Sequence, residues 1–262
     1  MIVAARIFVV GGATSFRALW NWLSPWIYVP TMLIAPLFQI LLFAYIGRSA
    51  GLESDRFYLL GNALQYASIP CLFAMSQMIG GERYQNTLSA ILVSPAPRIP
   101  LFLGRSVPVV ANGAFVSAFA LFAGALILGV HLPASSLAPL LLVVLIAAFS
   151  CTGLGLINGA VSLRIRENAV LNNVIFGFLL IFTGANVPLD KLPGWMSFAA
   201  QGMPFTHAIK AARQLADGSS LGHVGGLLGA ELLVGVVYGV LGYAILRWFE
   251  TQSRRHATLE RS

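Results

Sequence analysis

Along the chain, stretches of about 20 residues without Asp, Glu, Lys or Arg recur, each closed by a charge, a Pro/Gly cluster or a Trp/Tyr belt. That is the length at which a helix rising ~1.5 Å per residue crosses ~30 Å of hydrocarbon. The pattern predicts six spans, over 25–46, 57–79, 101–128, 137–159, 168–186 and 224–246. The expected fold class is all-α integral membrane, organised as a single transmembrane domain over 1–262. Ahead of the first span, Phe16, Leu19, Trp20 and Leu23 share one helical face while Arg17 and Asn21 lie elsewhere. Residues 4–23 are therefore expected to form a helix lying in the membrane interface, set off from span one by Pro25 and Pro30. Arg6 interrupts this segment's apolar run and no small-x-small cleavage site follows, so it is expected to stay attached rather than act as a cleaved signal.

Composition sharpens this reading. Hydrophobic residues make up 58% of the chain and charged residues only 10%, with a mean hydropathy of +0.81, whereas soluble domains carry about 25% charged residues. A water-soluble enzyme is excluded. Cys71 and Cys151 lie inside apolar segments, which gives neither a disulfide framework nor a metal-ligand cluster. The formal charge of +7 comes from arginines scattered singly between spans, not from a stripe that would follow nucleic acid. Placed in alternate connections, Arg6, Arg17, Arg83, Arg98, Arg105, Arg164, Arg166, Arg247, Arg254, Arg255 and Arg261 fall on one side. Arg48, Arg56, Lys191, Lys210 and Arg213 fall on the other. The richer set marks the cytoplasmic side, so both termini are expected there.

Site chemistry is mostly absent. The two lysines, Lys191 and Lys210, lie outside any G-x-x-x-x-G-K-[ST] context, so this chain is not expected to bind ATP. His131, His207, His223 and His256 form no H-x-x-x-H pair and no G-x-S-x-G elbow is present. A gradient-driven carrier would place a titratable group at mid-depth, and Glu231 is the sole candidate. It precedes Arg247 by about 24 Å of helix, which places it at or near the outer interface, facing water or the bundle. Gln39, Asn62, Gln65, Asn112 and Asn158 are expected to be interhelical hydrogen-bond partners rather than ligands.

Two connections hold more than a linker needs. Residues 81–95 read as a short amphipathic helix with Tyr84, Leu88, Ile91 and Leu92 on one face and Gln85, Asn86 and Ser89 on the other, ended by Pro95. Only Arg83 is available to hold lipid headgroups, so a groove on a partner protein is the expected dock. The second connection, 187–213, is apolar in its middle, Trp195 to Met203, yet too short to cross, and is punctuated by Pro188, Pro193 and Pro204. It reads as a re-entrant hairpin on the outer side, tolerated where protein covers its irregular backbone.

At these two places the sequence resembles the membrane subunits of type-2 ATP-binding-cassette exporters, a family that includes bacterial drug, polysaccharide and nodulation-factor export permeases. The cytoplasmic match is Glu82-Arg83, Thr87-Leu88 and Ser94-Pro95, with Asn86 standing where members commonly have Gly. The outer match is Pro188, Leu192-Pro193, Trp195, Pro204, His207-Ala208 and Arg213. The resemblance implies a half-transporter of the bacterial inner membrane that pairs with a second permease subunit, as homodimer or heterodimer, and with two nucleotide-binding ATPase subunits. These partners would bind ATP and Mg, leaving no cofactor in this chain. It further implies that Glu82, Arg83, Tyr84, Thr87, Leu88, Ile91, Leu92 and Pro95 receive the ATPase movement. Pro188, Leu192, Pro193, Trp195, Pro204 and His207 would belong to an extracellular gate. Apolar, aromatic spans suit an amphiphilic drug or a lipid-linked glycan equally. The competing readings are a gradient-driven carrier or channel, which requires a mid-membrane titratable group, and an intramembrane enzyme or scaffold, which requires a catalytic pair.

Overall fold

The computed structural model describes residues 6, 8, 10–13, 24–84, 98–165 and 168–256. Among the described residues the regular elements are helical: α1 (Pro25–Ala50), α2 (Asp55–Gln65), α3 (Ala74–Tyr84), α4 (Arg98–Leu128), α5 (Ala134–Ser162), α6 (Asn168–Phe182), α7 (Gly194–Ala200), α8 (Thr206–Ala216) and α9 (Leu221–His256). Four are long and apolar enough to cross a membrane, over Pro25–Ala50, Leu103–Leu128, Ala134–Ser162 and Leu221–Phe249. They correspond to the first, third, fourth and sixth expected spans.

The second expected span departs from one continuous helix. Between α2 and α3 the chain makes a turn at Tyr66 and Ala67 and then a π-helical turn over Ile69–Phe73. The physical reason is Pro70, which has no N–H to continue the ladder. Its counterpart lies in α1, where Pro30 sits in a π-helical stretch, Val29–Ile34, and the Ala35 amide reaches Pro30 O. The displaced register leaves Thr31 O open, and the Tyr66 hydroxyl donates to it at 3.2 Å. A side chain beside the second break thus satisfies a carbonyl at the first, as a low-dielectric setting requires. The broken segment still runs the length of the bundle: Leu59 lies beside Gly124, Cys71 beside Gly113 and Gly155, and Ile79 beside Gly159.

The fifth expected span ends early, at Phe182, so α6 has 15 residues, about 22 Å of helix. Gly184 follows with φ of 76°, and the chain continues into the hairpin. α5 is the centre of the fold; 67% of its membrane-length window is buried, against 22% for α1 and α9. α9 packs on α5 through Gly153 and Gly235, whose missing Cβ atoms let the backbones approach. Of the small residues on the last span, Gly235 is therefore used within the chain, while Gly225 and Gly229 face open space.

In the N-terminal segment the described residues are helical, and Gly12 crosses Gly104 near the start of α4. The rest of the expected interfacial helix 4–23 lies outside the described residues.

Candidate functional site

At the end of the bundle where α1 meets α2 and α4 meets α5, residues 183–218 close over the helices. α8 begins without a local cap. Its N-cap position is held by Phe205, a poor residue for that role, with φ of 74° and no side-chain cap of its own. The missing acceptor comes from α9: Phe205 N–H donates to Glu231 Oε1 at 2.7 Å, and the His207 and Ala208 N–H groups donate to Oε2 at 3.1 Å each. Glu231 is fully buried. Charge-assisted bonds from a helix N-terminus are what offsets the cost of holding a carboxylate there.

The other end of α8 is held as well. Ser136 of α5 donates its hydroxyl to Leu215 O at 2.7 Å. Arg56 of α2 donates to Ala216 O at 3.2 Å and to Asp217 Oδ1 at 3.1 Å, and its second nitrogen reaches His131 O. In the last turn, Arg213 lies over the Phe57 ring, 3.5 Å from its centroid. It donates to Phe57 O, to Gly184 O at 2.9 Å and to Ala185 O, so a cation sits at the carbonyl-rich turn that ends α6. Burial pushes this guanidinium down to about 10 from its ordinary value of 12.5, so it stays charged at neutral pH. Ala208, Ile209, Ala211, Ala212, Leu215 and Ala216 are buried, and these mostly small side chains let α8 press into the bundle.

The first half of the hairpin is held differently. Pro188 opens one tight turn over Leu189–Lys191, and Pro193 sits at the N-cap of α7, its carbonyl accepting from Met196 and Ser197. Trp195 is 68% and Phe198 83% exposed. α7 packs on α6 and the preceding turn, with the Trp195 ring edge-on to Phe182. Lys191 reaches Glu53 at 2.8 Å, and this neighbour holds the ammonium above its ordinary pKa, but the pair is substantially exposed. Such pairs contribute ~0–1 kcal/mol.

The six residues expected to form one gate therefore fall into two groups. Pro188, Leu192, Pro193 and Trp195 belong to the α7 half. Pro204 is buried against the start of α8, and His207 sits in the first turn of α8, its Nε2 3.0 Å from Gln201 O. Sequence reading missed Glu231 as the element that joins the second group to α9. The available signal was a helix start lacking Ser, Thr, Asp or Asn at the N-cap, set against a lone carboxylate in an apolar helix.

Beneath the cap, the neutral polar residues pair between helices as expected. Gln39 donates to both Asn62 and Gln65, Asn62 donates to Asn186 of the hairpin, Tyr28 donates to Asn112, and Asn158 donates to Asn172. A chain of side-chain bonds thus leads from α1 through α2 to the start of the cap.

At the opposite end, Glu82, Arg83 and Tyr84 lie in the last turn of α3, where the backbone is described. The expected helix over 81–95 therefore begins as an extension of α3 rather than as a separate element. Thr87, Leu88, Ile91, Leu92 and Pro95 lie outside the described residues. Among the described residues no group of three or more His, Cys, Asp or Glu is placed to hold a metal ion.

Comparison with known proteins gives one family and two curated relatives. The family described as ABC-2 type transporter matches residues 13–216. The probable multidrug ABC transporter permease YbhR of Escherichia coli K12 is 27% identical over 192 residues, covering 68% of this chain and 51% of that protein. YbhR of Escherichia coli O157:H7 matches with the same figures. The chain spans about half the length of these curated relatives.

Proposed function

The chain belongs to the ABC-2 type transporter family and is a multi-pass membrane protein, and on that premise we propose that it is the permease subunit of an exporter driven by ATP hydrolysed elsewhere. In this reading the chain crosses the bacterial inner membrane six times, the broken α2–α3 segment and the short α6 being the second and fifth crossings. Both termini are cytoplasmic. It works with a second permease subunit and two nucleotide-binding ATPase subunits. Residues 81–95 receive the ATPase movement, with Glu82, Arg83, Tyr84, Thr87, Leu88, Ile91, Leu92 and Pro95 at the contact. Residues 187–213 form the outer gate, with Pro188, Leu192, Pro193, Trp195, Pro204 and His207 shaping it. The transported molecule is amphiphilic, of the class of a drug or a lipid-linked glycan.

The observation that carries this reading is the family match over 13–216, which takes in both the 81–95 connection and the hairpin. The arrangement of the site supports it: a cap closes one end of the bundle, and a helix extends from the other end through Gly81–Tyr84. A gradient-driven carrier fits less well, since Glu231 is committed to three backbone amides and is not poised to exchange a proton or an ion along a path.

The test is nucleotide turnover. The purified chain alone is expected to hydrolyse no ATP, and activity is expected when the nucleotide-binding subunit is co-expressed and co-purified. Turnover by the isolated chain, with contaminants excluded by an inactive-partner control, would overturn the proposal.

A further inference from the structure

The two halves of the outer hairpin are held to the bundle by contacts of different kinds. α8 is tied at its N-terminus to α9 through Glu231, at its C-terminus to α5 and α2 through Ser136 and Arg56, and from its last turn to α2 and the turn after α6 through Arg213. Its inward face is buried throughout. Residues 187–200 have one exposed ion pair, Lys191 with Glu53, and one ring contact, Trp195 on Phe182. α7 has a single buried residue, Ala200. Between the halves lie Gln201–Pro204, where Gly202 meets no neighbour outside its own turn.

We infer that Glu231 and Arg213 are positioning residues that fix α8 as the stationary half of the outer cap, so that residues 187–200 are the half that moves. The inference rests on the reading of 187–213 as an outer gate and divides that gate in two. Glu231 acts by supplying the acceptors that Phe205 lacks, which holds the start of α8 against α9. Arg213 holds the same helix against the turn after α6, so the chain entering the moving half departs from a fixed point at Gly184. Pro204 and His207 are then part of the anchor, while Pro188, Leu192, Pro193 and Trp195 ride on the moving part.

Cysteine labelling in the assembled transporter separates the two halves. Gly194→Cys and Lys210→Cys are introduced singly in a background lacking Cys71 and Cys151, and the chain is reconstituted with its co-expressed ATPase. Each is reacted from the outer face with an impermeant thiol reagent, with and without ATP trapped on the ATPase by vanadate. The expected result is a several-fold change in labelling rate at Gly194→Cys and less than a twofold change at Lys210→Cys. Adding Glu231→Gln should make the Lys210→Cys rate respond to nucleotide and lower transport per ATP hydrolysed, with Glu231→Asp recovering part of both. A role confined to stability would change the amount of inserted protein without making Lys210→Cys sensitive to nucleotide.

If both sites respond in the otherwise unaltered chain, α8 moves and the inference is overturned while the gate reading stands. If neither responds, the gate reading itself fails. If Lys210→Cys stays silent in Glu231→Gln and in Arg213→Gln, these side chains are not the anchors. Should those variants fail to insert, the unaltered pair of sites still decides between a fixed and a moving α8.

Discussion

Phe205 shows how much the bundle spends to place one turn. A large side chain with φ of 74° costs ~1–3 kcal/mol relative to ordinary backbone, and glycine would relieve that strain. Phe205 is also fully buried, and truncating a buried aromatic costs ~3–5 kcal/mol. The second quantity is larger, so Phe205→Gly should lower the thermal unfolding midpoint of the purified chain in detergent despite removing the strain. A raised midpoint would mean that the ring contributes little and that strain dominates. Glu231 makes the same point about legibility. Sixteen residues of helix separate it from Arg247, but its partners at the start of α8 were not legible, because backbone amides leave no mark in a sequence. Arg213 was legible as part of a motif, whereas its role at the end of α6 depends on a turn that only the folded chain brings beneath it.

At the scale of elements, apolar length located the long helices and missed the break in the second span. Hydropathy averages over Pro70 and over Asn62, Gln65 and Ser68, and it cannot register that a proline's missing bond is answered by a tyrosine one helix away. That residues 187–213 hold short helices instead of a span or an open loop was legible, because three prolines interrupt a short apolar stretch. The division of this segment into a clamped and a loose half was not, because that depends on residues of α2, α5 and α9. The connection after α3 remains an argument from sequence. Leu88→Asp would place a charge on the face shared by Tyr84, Ile91 and Leu92, and a buried charge without a partner costs several kcal/mol. The variant is therefore expected to insert normally but to lose association with the ATPase or to uncouple hydrolysis from export, as co-purification and transport per ATP would report. Coupled transport at the unaltered rate would contradict docking through that face.

For the whole molecule, the distribution of charge predicts an orientation. At the hairpin end the five basic residues, Arg48, Arg56, Lys191, Lys210 and Arg213, are matched in number by Glu53, Asp55, Asp190, Asp217 and Glu231. Arg48 pairs with Asp55, Arg56 with Asp217 and Lys191 with Glu53. That end is neutral, so the whole formal charge of +7 belongs to the connections that the sequence assigns to the other side, eleven arginines against Glu82, Glu167, Glu250 and Glu260. Each basic residue near an anionic leaflet is worth about 1 kcal/mol, and the bias acts on the short connections present here. The hairpin end should therefore face outward. In a background lacking Cys71 and Cys151, Ser135→Cys at the exposed start of α5 should react with an impermeant thiol reagent on intact cells. Thr251→Cys, exposed near the end of α9, should react only after permeabilisation. Both are small polar substitutions at exposed positions, so neither disturbs the core. The reverse pattern would invert the topology and place the cap on the side of the ATPase, which would remove the outer gate together with the division of labour inferred within it.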